Sequence, residues 1–289
     1  MNFAQKLTAA LAVTVFASGV AHAVPAMTYW VFNPVGEGRD SGQEVTEYLD
    51  FYGSTFFQIQ RTEGNSYTFR QHGAVFIPQA DSNGSLFPLN YQGGNITALF
   101  DGYGTGQFGG AFSFGGGTVR LYQNPVDGQY ASSAGIYGAN LGNLIAELSV
   151  KAGGGGAVDD TGVPVSSGNF SMFAGASPGS ITAGYFFDSD GSDLATRSIS
   201  FELRSANSAR PGGQPPNLVS EIACQYAGFT GAGCSGGMYQ DVQGEHFFVS
   251  AIGQVLLSEV PEPGSVALFG VAMFAAGAAR RRRGTVRQG

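Results

Sequence analysis

The chain has 289 residues, of which 46 are glycine and 12% are aromatic, and its formal net charge is −7. Leaving out Lys6, the arginines at 280–283 and 287, and Glu259 and Glu262 leaves 8 basic and 19 acidic residues, a net charge of −11. Such an acidic domain excludes nucleic acid as a partner, because phosphate binding relies on basic side chains. The aromatic content excludes a disordered chain, since disordered chains are poor in aromatic residues.

The first 23 residues have the three parts of a secretory signal peptide. Lys6 and the amino terminus form a basic region, residues 7–20 are apolar, and Ala21-His22-Ala23 offers a small-x-small cleavage site. We therefore predict cleavage after Ala23 and a mature domain of residues 24–258. That length is enough for one sizeable core or two small ones.

Short segments rich in β-branched and aromatic residues follow one another along this domain, each bounded by Gly, Asn, Asp or Pro. They cover residues 28–32, 55–61, 66–70, 74–77, 95–100, 118–122, 144–150, 169–173, 181–187, 198–203 and 246–257. One weak helical pattern occurs, at residues 192–197. The pattern predicts an all-β fold, an antiparallel β-sandwich or jelly-roll-like domain. Residues 152–160 and 209–217 fit linkers or surface loops equally well, so we predict one domain, with two modules as the alternative.

Residues 101–117 combine many glycines with Tyr103, Phe108, Phe112 and Phe114. Glycine lets a neighbouring backbone approach closely, so this composition predicts edge strands. The segment also contains G-x-G-x-x-G at 104–109. A nucleotide site needs a helix directly after this motif, and the residues that follow favour strand and turn instead.

Cys224 and Cys234 are the two cysteines of the chain. In an exported protein such a close pair predicts a disulfide that closes the glycine-rich loop between them. A metal site would need two further ligands, and His72 and His246, the histidines of the mature domain, have strand-like surroundings that predict structural roles.

Asp188, Asp190 and Asp193 surround a glycine turn, where three carboxylates can converge on a calcium ion. The spacing departs from the usual calcium loop, and a similar Asp-Ser-Asn-Gly sequence at 81–84 is typical of Asx turns. Plain turns are therefore the favoured interpretation, and a weak calcium site is the alternative.

No catalytic assembly emerges from the remaining motifs. The G-x-S-x-G sequence at 175–179 precedes a strand pattern and not the helix of a nucleophile elbow. Glu44 and Glu47 form the nearest carboxylate pair, and a solvated polar face explains them. We predict a protein that is not an enzyme. The alternative is a secreted polysaccharide-acting hydrolase, which needs two carboxylates across a groove.

The end of the chain has three physically distinct parts. Pro261, Glu262 and Pro263 form a stiff extended plug, because proline fixes its own φ and restricts the residue before it. Residues 265–279 are an uncharged, helix-capable run, shorter than the ~20 residues of a full bilayer span. Arginines 280–283 form a cationic stop that favours the cytoplasmic side. Together, residues 259–289 predict a sorting signal with transient membrane anchoring.

This terminal pattern resembles the PEP-CTERM sorting domain of bacteria that produce exopolysaccharide. The matching residues are Val260, Pro261, Glu262, Pro263, Gly264, Arg280, Arg281, Arg282 and Arg283. The resemblance implies processing by an exosortase near Glu262 and Pro263. It further implies export across the inner membrane of a Gram-negative-type bacterium to the cell surface or extracellular matrix. A permanent single-span anchor is the alternative.

Residues 30–34, 79–88, 218–224 and 246–250 are similar to stretches of the flocculation-associated PEP-CTERM proteins. This resemblance implies a non-enzymatic, structural or adhesive role in flocs or biofilm, with exopolysaccharide as the partner. Glycine loops with exposed aromatic residues suit contact with sugar faces, which agrees with such a role. A calcium-dependent glycan-binding module is a further alternative.

Overall fold

The structure is a computed structural model and describes residues 26–81, 96–124, 129–165, 170–209 and 213–259. Its strands are β1 (Trp30–Phe32), β2 (Gln43–Val45), β3 (Leu49–Arg61), β4 (Ser66–Ala80), β5 (Ile96–Gln107), β6 (Ala111–Gln123), β7 (Asn143–Val150), β8 (Gly153–Ala157), β9 (Phe170–Ala176), β10 (Phe186–Phe187), β11 (Ile199–Ala209) and β12 (His246–Glu259). Short 3-10 helices lie at Arg39–Ser41 and Leu194–Thr196. A helical segment, residues 216–226, consists of an α-helical turn, Pro216–Leu218, and a π-helix, Val219–Tyr226.

Nine strands form one antiparallel sheet in the order β11-β12-β3-β4-β5-β6-β7-β9-β8. β9 also pairs with β11, placing Ile199 opposite Ala176, so eight of these strands close on themselves. β8 joins β6 to β9 beyond the end of the shorter β7. The all-β antiparallel prediction is confirmed. The expected two-sheet sandwich or jelly roll is corrected to a single closed, barrel-like sheet.

Long strands and β-bulges explain this closure. β3 and β6 have 13 residues each, and β4 has 15. Residues 66–70 and 74–77, predicted as separate strands, belong to β4 because Gln71, His72 and Gly73 continue its ladder. Irregular register between Asp50 and Tyr52, and again beside Tyr103, bends the sheet, as bulges do.

The core fills the inside of the closed sheet with side chains from alternate residues of the strands. On β5 the inward positions include Gly104 and Gly106, which lie directly opposite Phe69 and Tyr67 of β4. A Cβ atom would lie 2.6 Å from Phe69 Cζ at Gly104, and 2.3 Å from Tyr67 Cζ at Gly106. These glycines therefore make room for the aromatic rings. The glycine-rich residues 101–117, predicted as edge strands, instead lie within the sheet, with neighbours on both sides.

The two ends of the closed sheet correspond to the two ends of β12. At one end β12 begins with His246, opposite Gln58 of β3, and we call this the His246 end. At the other, Glu259 pairs with Ile199, and we call this the Glu259 end. A small second sheet, in the order β10-β1-β2, packs against the core through Phe186, whose ring meets Phe201 of β11 edge-on at 6.0 Å.

An outer layer covers part of the sheet from outside. Helical-segment residues Leu218, Val219, Ile222 and Ala223 pack with Phe56 of β3 and Phe248 of β12. Within residues 24–258 the sequence pattern predicts one weak helix, at 192–197, where a 3-10 turn forms, and a loop or linker at 209–217. Proline in the first turn, followed by an apolar face, is the signal that marks the missed segment.

Candidate functional site

An open groove of about 710 Å³ crosses the outside of β3, β4, β5 and β6. It lies near the His246 end of the sheet, since Gln58 is the partner of His246. Each strand lines it with three consecutive residues: Gln58, Ile59 and Gln60; Thr68, Phe69 and Arg70; Tyr103, Gly104 and Thr105; and Ser113, Phe114 and Gly115. We call it the Tyr103 groove. Its volume lies within the ~300–1,000 Å³ that is typical of ligand sites.

Tyr103 is the exposed aromatic residue of this groove, with 54% of its surface accessible. Its partner across the strands is Gly116, while Gly104 pairs with Phe114, so Gly115 is an extra residue in β6. A Cβ atom would lie 3.0 Å from the Tyr103 ring at Gly115, and 2.7 Å from the Tyr103 hydroxyl at Gly116. The ring therefore lies close to the glycine bulge of β6, where no side chain separates it from the backbone, and it forms a flat exposed platform.

Besides Arg70, the polar side chains that line the groove with this ring are uncharged. Strand alternation buries Phe69 and Phe114 towards the core, while Gln60, Thr68 and Thr105 are exposed. Gln58 and Ser113 lie on the same outward set of positions. Amides and hydroxyls both donate and accept hydrogen bonds. The groove thus offers one flat apolar face within a ring of hydrogen-bonding groups.

A second open hollow of about 390 Å³ adjoins the groove and is lined by Arg70, Asp101, Tyr103, Gly117 and Thr118. Asp101 Oδ1 lies 3.8 Å from His72 Nε2. Burial lowers the pKa of His72; the Asp101 carboxylate opposes this effect and the Arg70 guanidinium adds to it. His72 is therefore uncharged at neutral pH.

The outer layer reaches this region through Tyr226, the last residue of the helical segment. Its ring meets the His72 ring edge-on at 5.0 Å. Burial, and to a lesser degree the nearby Asp101 charge, raises the pKa of Tyr226. Cys224, two residues earlier, is bonded to Cys234 with 5.5 Å between the Cα atoms, which confirms the predicted disulfide. The disulfide fixes the end of the helical segment above His72.

The predicted aspartate cluster forms turns. Asp188 is buried, accepts a 2.7 Å hydrogen bond from the Ser192 amide and pairs with Arg197 at 2.9 Å. Asp193 accepts hydrogen bonds from the amides of Ala195 and Gly184. Within the described ranges, His, Cys, Asp and Glu side chains form no group of three suited to a metal ion. This geometry agrees with the turn interpretation, and a weak calcium site stays a prediction.

Two other sequence motifs lie in strands and turns. The G-x-G-x-x-G residues at 104–109 end β5 and enter the turn to β6, and no helix follows. The G-x-S-x-G residues at 175–179 end β9 in a turn, where the Ser180 hydroxyl donates to the Ser177 carbonyl at 2.8 Å. Neither motif has the helix that its chemistry requires.

The remaining candidate residues do not line the Tyr103 groove, although His246 is the cross-strand partner of Gln58 at its edge. His246 contacts the Phe229 ring and the Tyr239 hydroxyl beneath the outer layer, and burial lowers its pKa. Glu44 and Glu47 are exposed, within and just after β2. None of these three side chains therefore lines the groove.

Comparison with known proteins gives a match at the end of the chain, where β12 finishes. Residues 259–283 match the family described as the PEP-CTERM protein-sorting motif. The chain carries a PEP-CTERM sorting motif. The motif implies export and exosortase processing at the membrane towards the cell surface. No curated protein and no solved structure matches the chain.

The PEP-CTERM motif and the predicted signal peptide fall outside the described residues, apart from Glu259. This applies to the cleavage site at Ala23, to residues 260–264, to the apolar run 265–279 and to the arginines 280–283. Among the helices that the structure describes, none is long and apolar enough to cross a membrane.

Tyr103 and the glycines around it stand out in the sequence, but the groove that they help to form does not. The signal was present in the strict alternation Gly102-Tyr-Gly-Thr-Gly-Gln107, which places glycine inward and polar or aromatic residues outward. Which strands lie beside these residues depends on long-range pairing, and a single strand does not reveal that pairing.

Proposed function

We propose that this exported protein is a non-enzymatic component of the cell surface or extracellular matrix and binds polysaccharide through the Tyr103 groove. The observation that carries the proposal is the exposed Tyr103 ring, more than half accessible, beside amide and hydroxyl side chains in an open groove. An aromatic face packs against the C–H face of a sugar ring. The surrounding amides and hydroxyls supply partners for sugar hydroxyls.

An extended polymer fits the shape of this site. The groove crosses four neighbouring strands, which at ~4.8 Å between strands is about 14 Å of surface. It is open along this surface, as a chain that continues beyond the site on both sides requires. Binding of this kind, together with PEP-CTERM sorting, would hold cells and exopolysaccharide together in flocs or biofilm.

The test uses the secreted full chain and purified exopolysaccharide in affinity electrophoresis. Tyr103→Ala is expected to weaken binding about tenfold, the effect of losing ~1.4 kcal/mol of ring contact. Tyr52→Ala is the matched control, since Tyr52 is 45% exposed on β3 but lies outside the groove. Equal binding by both variants, or release of shortened sugar chains by the wild type, would contradict the proposal.

A further inference from the structure

The Tyr103 groove carries one kind of charge. Of its twelve lining residues Arg70 is the charged one, and the others are apolar, amide, hydroxyl or glycine residues. This cation belongs to a domain whose net charge is −11 by sequence. The acidic surface already keeps the protein soluble, so this one positive group adds little to solubility. It can instead bind a negatively charged group of a ligand.

The Arg70 guanidinium is available to a ligand. Arg70 is exposed at an outward position of β4. Ion pairs between described residues use His72, Arg120, Arg197 and Arg204, and none includes Arg70. A planar guanidinium can donate two parallel hydrogen bonds to the two oxygens of a carboxylate. Such a pair fixes the orientation of the carboxylate as well as attracting its charge.

Arg70 and Tyr103 are direct partners across β4 and β5, with their side chains on the same outer face. Side chains opposite each other on one face have Cβ atoms ~5 Å apart. A sugar ring stacked on Tyr103 therefore brings a carboxylate on that ring, or on the next, within reach of Arg70. Asp101 shares the adjoining hollow with Arg70 and Tyr103 but does not line the groove and forms no ion pair with Arg70.

Resting on the function proposed above, we infer that the preferred ligand is an acidic polysaccharide of the uronic acid class. The sugar ring packs on Tyr103 while Arg70 binds its carboxylate, and Gln58, Gln60 and the hydroxyl residues bind the sugar hydroxyls. Long-range repulsion between the acidic domain and the polymer is screened over ~8 Å at physiological salt, whereas the contact with Arg70 is screened less.

The test compares a polyuronate with the same polymer after chemical reduction of its carboxyl groups, at 0.15 M salt. The secreted full chain is expected to bind the polyuronate about tenfold more tightly. Arg70→Gln removes this preference and keeps binding to the reduced polymer, and Arg70→Lys keeps part of the preference. Arg204→Gln, an exposed arginine on β11, is the control for net charge and leaves the preference intact.

The outcomes separate this inference from the function on which it rests. Equal, Tyr103-dependent binding of both polymers overturns the uronate preference and leaves polysaccharide binding in place. Binding of neither polymer overturns both. Arg70-dependent binding of a sulfated polymer that has no carboxylates, without binding of the polyuronate, overturns the carboxylate assignment. Thermal denaturation of each variant checks that the fold is retained.

Discussion

The ring of Tyr103 lies over Gly116, its cross-strand partner, with no side chain between them. A methyl group at Gly116 would lie 2.7 Å from the Tyr103 hydroxyl and 3.0 Å from Cζ. Since this ring is exposed, it can move aside at small cost to folding.

Gly116→Ala is therefore expected to displace the platform. Polysaccharide binding should fall several-fold, while the free energy of unfolding changes by less than ~1 kcal/mol. Affinity electrophoresis and urea denaturation measure the two effects. Gly213→Ala is the control, because nothing lies within 4 Å of a Cβ there. Full binding by Gly116→Ala would show that the ring position is unimportant.

Gly104→Ala tests the inward glycines of β5. The new Cβ would lie 2.1 Å from the Ser113 carbonyl oxygen and 2.6 Å from Phe69 Cζ. A backbone oxygen in a paired strand cannot move aside as a side chain can, so we expect a loss of ~1–3 kcal/mol of stability. The midpoint of urea denaturation measures it. An unchanged midpoint would mean that the inner face is looser than these distances indicate.

Replacing Cys224 and Cys234 by serine tests the outer layer. The sequence separation of 10 gives the disulfide ~2–3 kcal/mol in the loop-entropy estimate. Because the outer layer packs outside the closed sheet, hydrogen exchange should accelerate in residues 213–239 and much less in β3 to β6. Equal acceleration throughout would mean that sheet and outer layer unfold as one unit.

Buried His72 and partly buried His246 make stability depend on pH. Burial lowers the pKa values of His72 and His246 below the ordinary 6.5. Below about pH 6.5 the unfolded chain therefore binds protons that the folded chain does not. This contribution is complete above pH 6.5 and is lost as pH falls towards the folded pKa values.

His72→Gln is expected to reduce the steepness of this loss, whatever it does to stability at neutral pH. Urea denaturation at several pH values between 7 and 5 gives the slope for wild type and variant. Parallel slopes would mean that His72 titrates alike in the folded and unfolded chains, and that other groups cause the acid sensitivity.

Replacing Pro261, Glu262 and Pro263 by alanine tests sorting. We expect the variant to retain the arginines 280–283 and to stay in the membrane fraction, whereas the wild type ends near Glu262. Intact-mass analysis of protein from cell surface and medium, with and without the candidate exosortase, makes this comparison. If the variant is processed like the wild type, these three residues are not required for processing.

Local pattern was sufficient for the all-β class and for the Cys224–Cys234 disulfide, because strand alternation and cysteine spacing are local properties. It was insufficient for the closure of the sheet, because closure depends on the long-range pairing of β9 with β11. It was also insufficient for the groove, because the groove depends on the pairing that makes Arg70 and Tyr103 neighbours. The prediction of edge strands at residues 101–117 was wrong for a physical reason. At Gly104 the missing side chain accommodates a ring from the next strand, whereas composition alone suggests an edge.

The Tyr103 groove and Glu259, the first residue of the sorting motif, lie towards opposite ends of the closed sheet. β12 begins beside the groove at His246 and finishes at Glu259, where the motif begins. At ~3.3 Å per residue this strand is about 40 Å long. A tether that follows Glu259 would therefore start from the end of the sheet that is away from the groove. Attachment at that end would leave the proposed binding surface open to polymer while the tether is still intact.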